Sequence, residues 1–456
     1  MIWTFLLFHI LIITMIIWKK GVLRAGWLFI GIFFLNDLIN VGPFNSYTLY
    51  MTAFVISLCV HGEAKQEWSS FPFKTELLII FIIHIGIIVT DQRINHDTIK
   101  MCSRIFNNYI PRYMALFVGY ASLQKLGDWR KTTITLFCIF TLMGVYGVIS
   151  WLIQDNPYYE MLHTTFFNGK EGIWTDVQNR GYRVLSTLSN PIVYGYVMCI
   201  AGHLILLWRK NMNISLWICL LTLTISNIFL ANSRTSIVSG LILAIVFLLS
   251  KYRLSFRTCR AIALCIAILS VSYLAIPIVR QVLDSTIALF TSSRADTAGS
   301  SIDLKFDQLR ASVYFFLKHP FWGNGFSFFQ ETIIMKHTGY ERDLAGLEGF
   351  GYKLLVEEGI FMIIAVTGLF FNIFRYFLNK GHLGNYANAG TAWTASFLAF
   401  MLFTGCWGGI FTIGMLFIGL LIKLIQHYGI LYTCACIQCR TIYKNMSGQH
   451  PVANCK

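Results

Sequence analysis

Apolar runs of about 20 residues, the length an α-helix needs to cross a bilayer, follow one another along nearly the whole chain and leave few folds open to it. On that ruler, spans fall at residues 2–18, 25–41, 47–62, 76–90, 109–126, 132–153, 188–208, 213–231, 235–250, 259–279, 352–378, 388–404 and 407–425. The expected fold is all-α: a polytopic integral membrane protein with about 13 transmembrane helices. The range is about 12 to 14, because Pro111 and Arg112 interrupt one run and a short Gly-rich stretch alone separates the last two. Composition agrees, with 56% hydrophobic and 12% charged residues, against a charged share of about a quarter in soluble domains.

The formal net charge of +15 does not point to nucleic acid. The Lys and Arg residues sit in short clusters between apolar runs, which is how cytoplasmic loops mark themselves. Lys19, Lys20 and Arg24 fall on one side in a single alternating topology. So do Lys65 and Lys74, Lys125 with Arg130 and Lys131, Arg209 with Lys210, residues 251–260, Arg375 with Lys380, and the tail. Ile2–Trp18 has its basic residues behind it, the reverse of a secretory signal, and reads as a retained first helix with an outer N-terminus. One loop, with Arg93, Lys100 and Arg104, breaks the pattern on the outer side. The chain divides into helices 1 to 10 (residues 1–279, with an outer loop at 154–187), a large outer loop (280–351), C-terminal helices (352–425) and a cytoplasmic tail (426–456). Both large polar segments lie on the outer face, where function is to be sought. None of the 12 cysteines lies in the 280–351 loop, so no disulfide framework supports it. Cys434, Cys436 and Cys439 lack a good zinc spacing and read as reduced thiols.

Inside the large loop, Ser300 and Asp303 have the capping-box spacing that opens a helix. Ile302, Phe306, Leu309, Val313 and Phe316 recur at steps of three and four, with Asp303, Asp307, Arg310 and Tyr314 on the other face. This predicts an amphipathic helix lying on a surface and stopping at His319-Pro320. Phe321-Trp322-Gly323-Asn324-Gly325 then reads as an aromatic, glycine-rich turn.

Three arginines mark the outer side: Arg183, just ahead of the helix opened by Ser189-Asn190-Pro191; Arg234, in a tight hairpin between spans; and Arg310, on the surface helix. Taken singly, Arg183 and Arg234 can snorkel to lipid phosphates and Arg310 can pair with Asp307. Together they make a candidate phosphate clamp, for which the planar guanidinium fork is suited. Glu348, Glu357 and Glu358 cluster where the loop re-enters the membrane, and a carboxylate there is costly if it faces lipid. Their plain role is to neutralise the arginines or Lys353. Asp37 and His84, within spans, read as buried polar groups. No Asp-x-Asp pair, Gly-rich phosphate loop, His-Glu-x-x-His or Gly-x-Ser-x-Gly occurs, which disfavours nucleotide-sugar and metal-dependent chemistry.

An ordered set of motifs carries a resemblance. Arg183-Val184-Leu185-Ser186-Thr187-Leu188-Ser189-Asn190-Pro191, the Ser233-Arg234 hairpin, Arg310 ahead of His319-Pro320-Phe321-Trp322-Gly323-Asn324-Gly325, and Tyr352 with Glu357-Glu358-Gly359-Ile360 resemble the core of the O-antigen ligase and polymerase superfamily over roughly residues 180–365. The resemblance implies a bacterial inner-membrane glycosyltransferase, without a cofactor or metal, working at the periplasmic face on glycans carried by undecaprenyl pyrophosphate. The resembled ligases have a His-Asn pair about eleven residues before the glycine of their Glu-x-Gly motif, and this chain has Glu348-Gly349 there. That departure favours a polymerase of the O-antigen (Wzy) type over a ligase; a transporter or flippase of the same lipid-linked glycan is the alternative of another class. The Arg-x10-Gly pattern of some polymerases is absent, since Tyr194 is eleven residues after Arg183. The implied roles are pyrophosphate binding by Arg183, Arg234 and Arg310 and a carboxylate base at Glu348 or, second, Glu357. Arg180, Tyr352 and His319 are further substrate contacts. The implied partners are the lipid-linked donor and acceptor glycans and the bilayer, with a chain-length regulator and a flippase of the same pathway, and no nucleic acid.

Overall fold

The computed structural model describes residues 2–35, 39–91, 93, 97–166, 182–252, 273–274, 280, 284, 302–329, 349–404 and 409–446. Glu348, Arg180, Asp37 and Ser300, together with all but residues 273–274 of the expected span at 259–279, lie outside the described residues. Among the described residues the fold is helical apart from one two-stranded hairpin, Asn40–Val41 with Phe44–Asn45.

The first bundle is α1 (Ile2–Trp18), α2 (Gly21–Phe34) and α3 (Ser46–Val60). The expected span at 25–41 is corrected here: α2 stops at Phe34, and the chain turns through the hairpin instead. The Asn45 side chain then caps α3 by accepting from Thr48 N at 2.8 Å, the usual way an orphan N–H is satisfied. At the other end of this bundle Arg24 is buried, bonded to Glu63 at 2.7 Å and Ser57 at 3.3 Å.

The next helices, α4 (Ala64–Ser70) and α5 (Lys74–Thr90), meet at 102° in what the sequence suggested was a plain loop followed by a span. Lys423 holds α4 through Glu67 at 2.7 Å, and the Tyr120 hydroxyl donates to the Ser70 carbonyl at 3.0 Å. The expected span at 109–126 starts earlier, at α6 (Thr98–Tyr109), and passes through a π-helical turn (Ile110–Met114) into α7 (Ala115–Ala121). Pro111 sits in that turn, where the wider winding absorbs the missing donor that would break a regular helix.

Then come α8 (Asp128–Ile153), α9 (Pro157–Phe166), α10 (Pro191–Leu207), α11 (Ile214–Leu230), α12 (Arg234–Tyr252), α13 (Ile302–Lys318), α14 (Phe350–Lys353), a second π turn (Leu354–Glu358), α15 (Gly359–Asn379), α16 (Asn385–Phe403) and α17 (Ile410–Met446). Among the described residues four segments are long and apolar enough to span a membrane: Asp128–Ile153, Arg234–Lys251, Phe350–Asn379 and Ile410–Ile430. The bent α4–α5 pair makes a fifth candidate, and five shorter apolar helices accompany them.

The membrane part of α17 is buried along almost its whole length and runs through the middle of the bundle. Its tightest neighbour is α7, and the contact is reciprocal. A Cβ on Gly119 would strike the Leu416 carbonyl, and one on Gly419 would strike the Leu116 carbonyl. Small residues that let helix backbones touch are a main source of helix association in lipid, where apolar burial gives no drive.

The loops opposite the basic clusters are tied together by hydrogen bonds. Thr187 Oγ1 donates to Phe33 O at 2.7 Å, Val184 N to Leu230 O at 3.1 Å and Asn107 Nδ2 to Pro43 O at 2.8 Å. Lys19, Lys20, Lys125, Arg130, Lys131, Arg209, Lys210 and Lys380 gather at the other end of the helices.

Candidate functional site

Two neighbourhoods occupy the face away from the basic clusters. The first is the seam of residues 182–190 against the α11–α12 hairpin. Val184, Leu185, Ser186 and Leu188 are buried, and Ser186 Oγ donates to Met143 O at 2.8 Å. Arg183 Nε donates to Ala231 O at 3.4 Å, three residues before Arg234, so the structure brings these two arginines to one hairpin. Both are buried. The hairpin turns at Asn232, whose φ of +46° is a conformation that Asn tolerates better than most residues. Ser233 Oγ then accepts from Ser236 N at 3.3 Å, at the start of α12, while Ser236 Oγ donates to Ile192 O at 2.7 Å and locks the starts of α10 and α12 together. Arg183 and Arg234 thus sit where the C-terminal end of α11 meets the start of α12, whose free N–H groups favour anions.

The second neighbourhood is where α13 and the turn after it dock on the second π turn. The expected stop of α13 is observed at Lys318. Asn324 N donates to Val356 O at 2.9 Å, Gly325 N to Glu357 O at 3.0 Å and Ile360 N to Pro320 O at 2.9 Å. Asn324 Nδ2 adds bonds to Phe315 O and Val356 O. Gly323 and Gly359 both have φ near +70°, and each lies so close to the opposing backbone that a Cβ would collide with it. The quoted motifs thus form a backbone-to-backbone joint.

Glu357 and Glu358 follow from this joint. Both are buried; Glu357 Oε1 accepts from Phe329 N at 3.1 Å and its Oε2 lies 3.6 Å from Lys353 Nζ, while Glu358 Oε1 accepts from Arg112 Nη1 at 3.1 Å. Arg112 and Glu358 each lie on a π-helical turn, a winding often found at functional sites. Removing one partner of such a pair leaves a buried uncompensated charge, which is strongly destabilising. Tyr352 braces α13, its hydroxyl donating to Lys305 O at 3.3 Å. His319 is exposed and accepts from Gly323 N through its carbonyl at 3.0 Å. Arg310 lies on α13, with 79% of its side chain exposed and Asp307 4.0 Å away.

The periodicity of α13 did not fix which of its faces packs against the protein. Gln308, Ala311, Ser312 and Phe315 are the buried residues, while Phe306 (59%), Leu309, Val313 and Leu317 (68%) are exposed. An apolar face can meet lipid without cost, so the packed face of a membrane-associated helix is free to be the more polar one. Sequence reasoning also missed Arg112, and it gave no role to Arg93 and Arg104. Both of these bond the buried carboxylate of Asp91 and the Phe326 carbonyl. The available signal was their position on the outer side, against the basic pattern. Among the described residues no group of three His, Cys, Asp or Glu side chains is placed to hold a metal ion.

Fold and site together define a multi-pass, all-α membrane protein with two buried, charged neighbourhoods on one face. Residues 196–348 match the family model described as O-antigen ligase. The match is consistent with the O-antigen ligase and polymerase superfamily, and hence with lipid-linked glycan chemistry in a membrane. No curated protein matches the chain.

Proposed function

We propose that this protein is a polymerase that joins undecaprenyl-pyrophosphate-linked oligosaccharide repeat units at the periplasmic face of the inner membrane, in O-antigen or capsule-type synthesis. The observation that carries the reading is the meeting of Arg183 and Arg234, both buried, at one hairpin on the face away from the basic clusters. In the reaction an acceptor sugar hydroxyl attacks the anomeric carbon joined to the donor pyrophosphate. The new C–O bond forms as the bond to the pyrophosphate oxygen breaks, and the pyrophosphate leaves with the electron pair. That leaving group needs charge stabilisation rather than a proton, which fixed guanidinium groups supply. Arg183 and Arg234 take this role, with Arg310 reaching from α13. The acceptor proton passes to a carboxylate, Glu348 first and Glu357 second. Arg180, Tyr352 and His319 remain candidate substrate contacts.

The family description favours a second reading, transfer of finished polymer to lipid A-core. Deleting the gene separates the two. A polymerase loss leaves surface lipopolysaccharide with at most one repeat unit on a stained gel. Loss of every repeat, with polymer held on the carrier lipid, identifies a ligase, and an unchanged ladder together with unchanged capsular polymer sinks both.

A further inference from the structure

Asp91 follows the last turn of α5, and its carboxylate is almost fully buried. Arg93 grips it in bidentate fashion, Nε to Oδ1 at 2.9 Å and Nη2 to Oδ2 at 2.7 Å, and Arg104 Nη1 from α6 reaches Oδ2 at 3.2 Å. The same two guanidinium groups converge on one backbone oxygen, that of Phe326, at 3.0 and 3.1 Å. Each guanidinium group thus bridges the Asp91 carboxylate and the Phe326 carbonyl with charge-assisted hydrogen bonds. The Phe326 ring is buried and stacks on His84 at 5.0 Å, Arg93 lies over the Phe328 ring at 5.3 Å, and Gly325 abuts the Asp91 carboxylate. Three residues on, Phe329 N donates to Glu357 Oε1. A continuous run of contacts therefore leads from the ends of α5 and α6 through the turn to Glu357.

We infer that Asp91, Arg93 and Arg104 are a positioning latch: they fix the Phe321–Phe329 turn against the membrane domain and, through the Phe329 amide, set the Glu357 carboxylate at the acceptor site. The catalytic half rests on the proposed reading of this face; the latch itself rests on the contacts. The backbone joint to the second π turn holds only the near half of the turn, up to Gly325. Without the latch the Phe326–Phe329 half has lost its two charged anchors, and Glu357 keeps its cation but not a fixed amide.

The test uses the full-length protein in lipid nanodiscs, with hydrogen exchange and turnover of lipid-linked repeat units measured on the same samples. Arg104→Gln is expected to speed exchange across residues 321–329 while leaving residues 191–207 unchanged. It should lower kcat on the order of 10²-fold, the scale of a misplacement of about 1 Å, with KM for the acceptor unchanged. Arg104→Lys should restore most of both, since the one nitrogen Nη1 makes both contacts and an ammonium has three donors. Asp91→Asn should act like Arg104→Gln; if it fails to accumulate, Arg104→Gln, which keeps the Asp91–Arg93 pair, carries the comparison. Unchanged exchange over 321–329 overturns the latch, and faster exchange with unchanged kcat overturns its effect on Glu357. Failure of the underlying functional reading appears separately, as wild-type protein without turnover. In that case an exchange difference confined to 321–329 still supports the latch and overturns only the catalytic half.

Discussion

Arg183 and Arg234 are buried at a polar corner, where a guanidinium has little reason to sit unless something anionic or a carbonyl meets it. A charge-assisted hydrogen bond contributes about 1.5–3 kcal/mol, so Arg183→Ala or Arg234→Ala should lower turnover roughly 10- to 100-fold at normal protein amount. Lys should rescue only in part, for want of the planar fork. Arg310→Ala, on an exposed side chain, belongs in the same set. Full polymer ladders from all three Ala variants, with immunoblots showing normal levels, would remove the clamp. For the base, Glu348→Gln keeps size and polarity but cannot take a proton, and a general base contributes about 10² to 10⁴-fold. Polymer should nearly vanish, and near-native turnover of the Gln variant in a purified assay would move the role to Glu357. At this scale the sequence displayed the arginines and the carboxylate cluster, because scarce charges stand out in apolar runs. It could not display which groups pair. Arg93 and Arg104 meet Phe326 more than 200 residues away, and no local period encodes that contact.

The elements themselves follow from simple signals: apolar length gave the helices, Asn45 and Asn190 cap α3 and α10, and His319-Pro320 stopped α13 as expected. Two kinds of element did not. The π turns leave no mark in hydropathy, and the packed side of α13 was not fixed by its pattern, because periodicity says which residues share a face, not which face is covered. Nor did the sequence separate structural glycines from incidental ones. Gly119 sits at the helix crossing against the Leu416 backbone, whereas Gly368 in α15 has open space around it. Gly119→Ala should therefore abolish or strongly reduce folded protein. Gly368→Ala should raise stability by roughly 0.5–1 kcal/mol, the helix-interior cost of glycine. Thermal melting in detergent checks both, and equal melting points would mean that the α7–α17 approach is looser than described.

For the whole molecule, the charge pattern and the span rhythm lead to the expectation of one polar face opposite the basic loops, because insertion into a bilayer constrains the entire chain at once. The order of helices in space was beyond their reach, since every apolar run looks alike to a hydropathy ruler. The place of α17 in that order bears on how the protein is made. Its partner helix α7 is complete by Ala121, yet the Leu416 and Gly419 backbone that fills the α7 seam lies about 300 residues further along the chain. At a synthesis rate of about 5–20 residues per second, α7 waits on the order of 15–60 s in the bilayer with its glycine seam open. During that interval the α7 seam cannot have its final partner, so the centre of the bundle is completed late in synthesis.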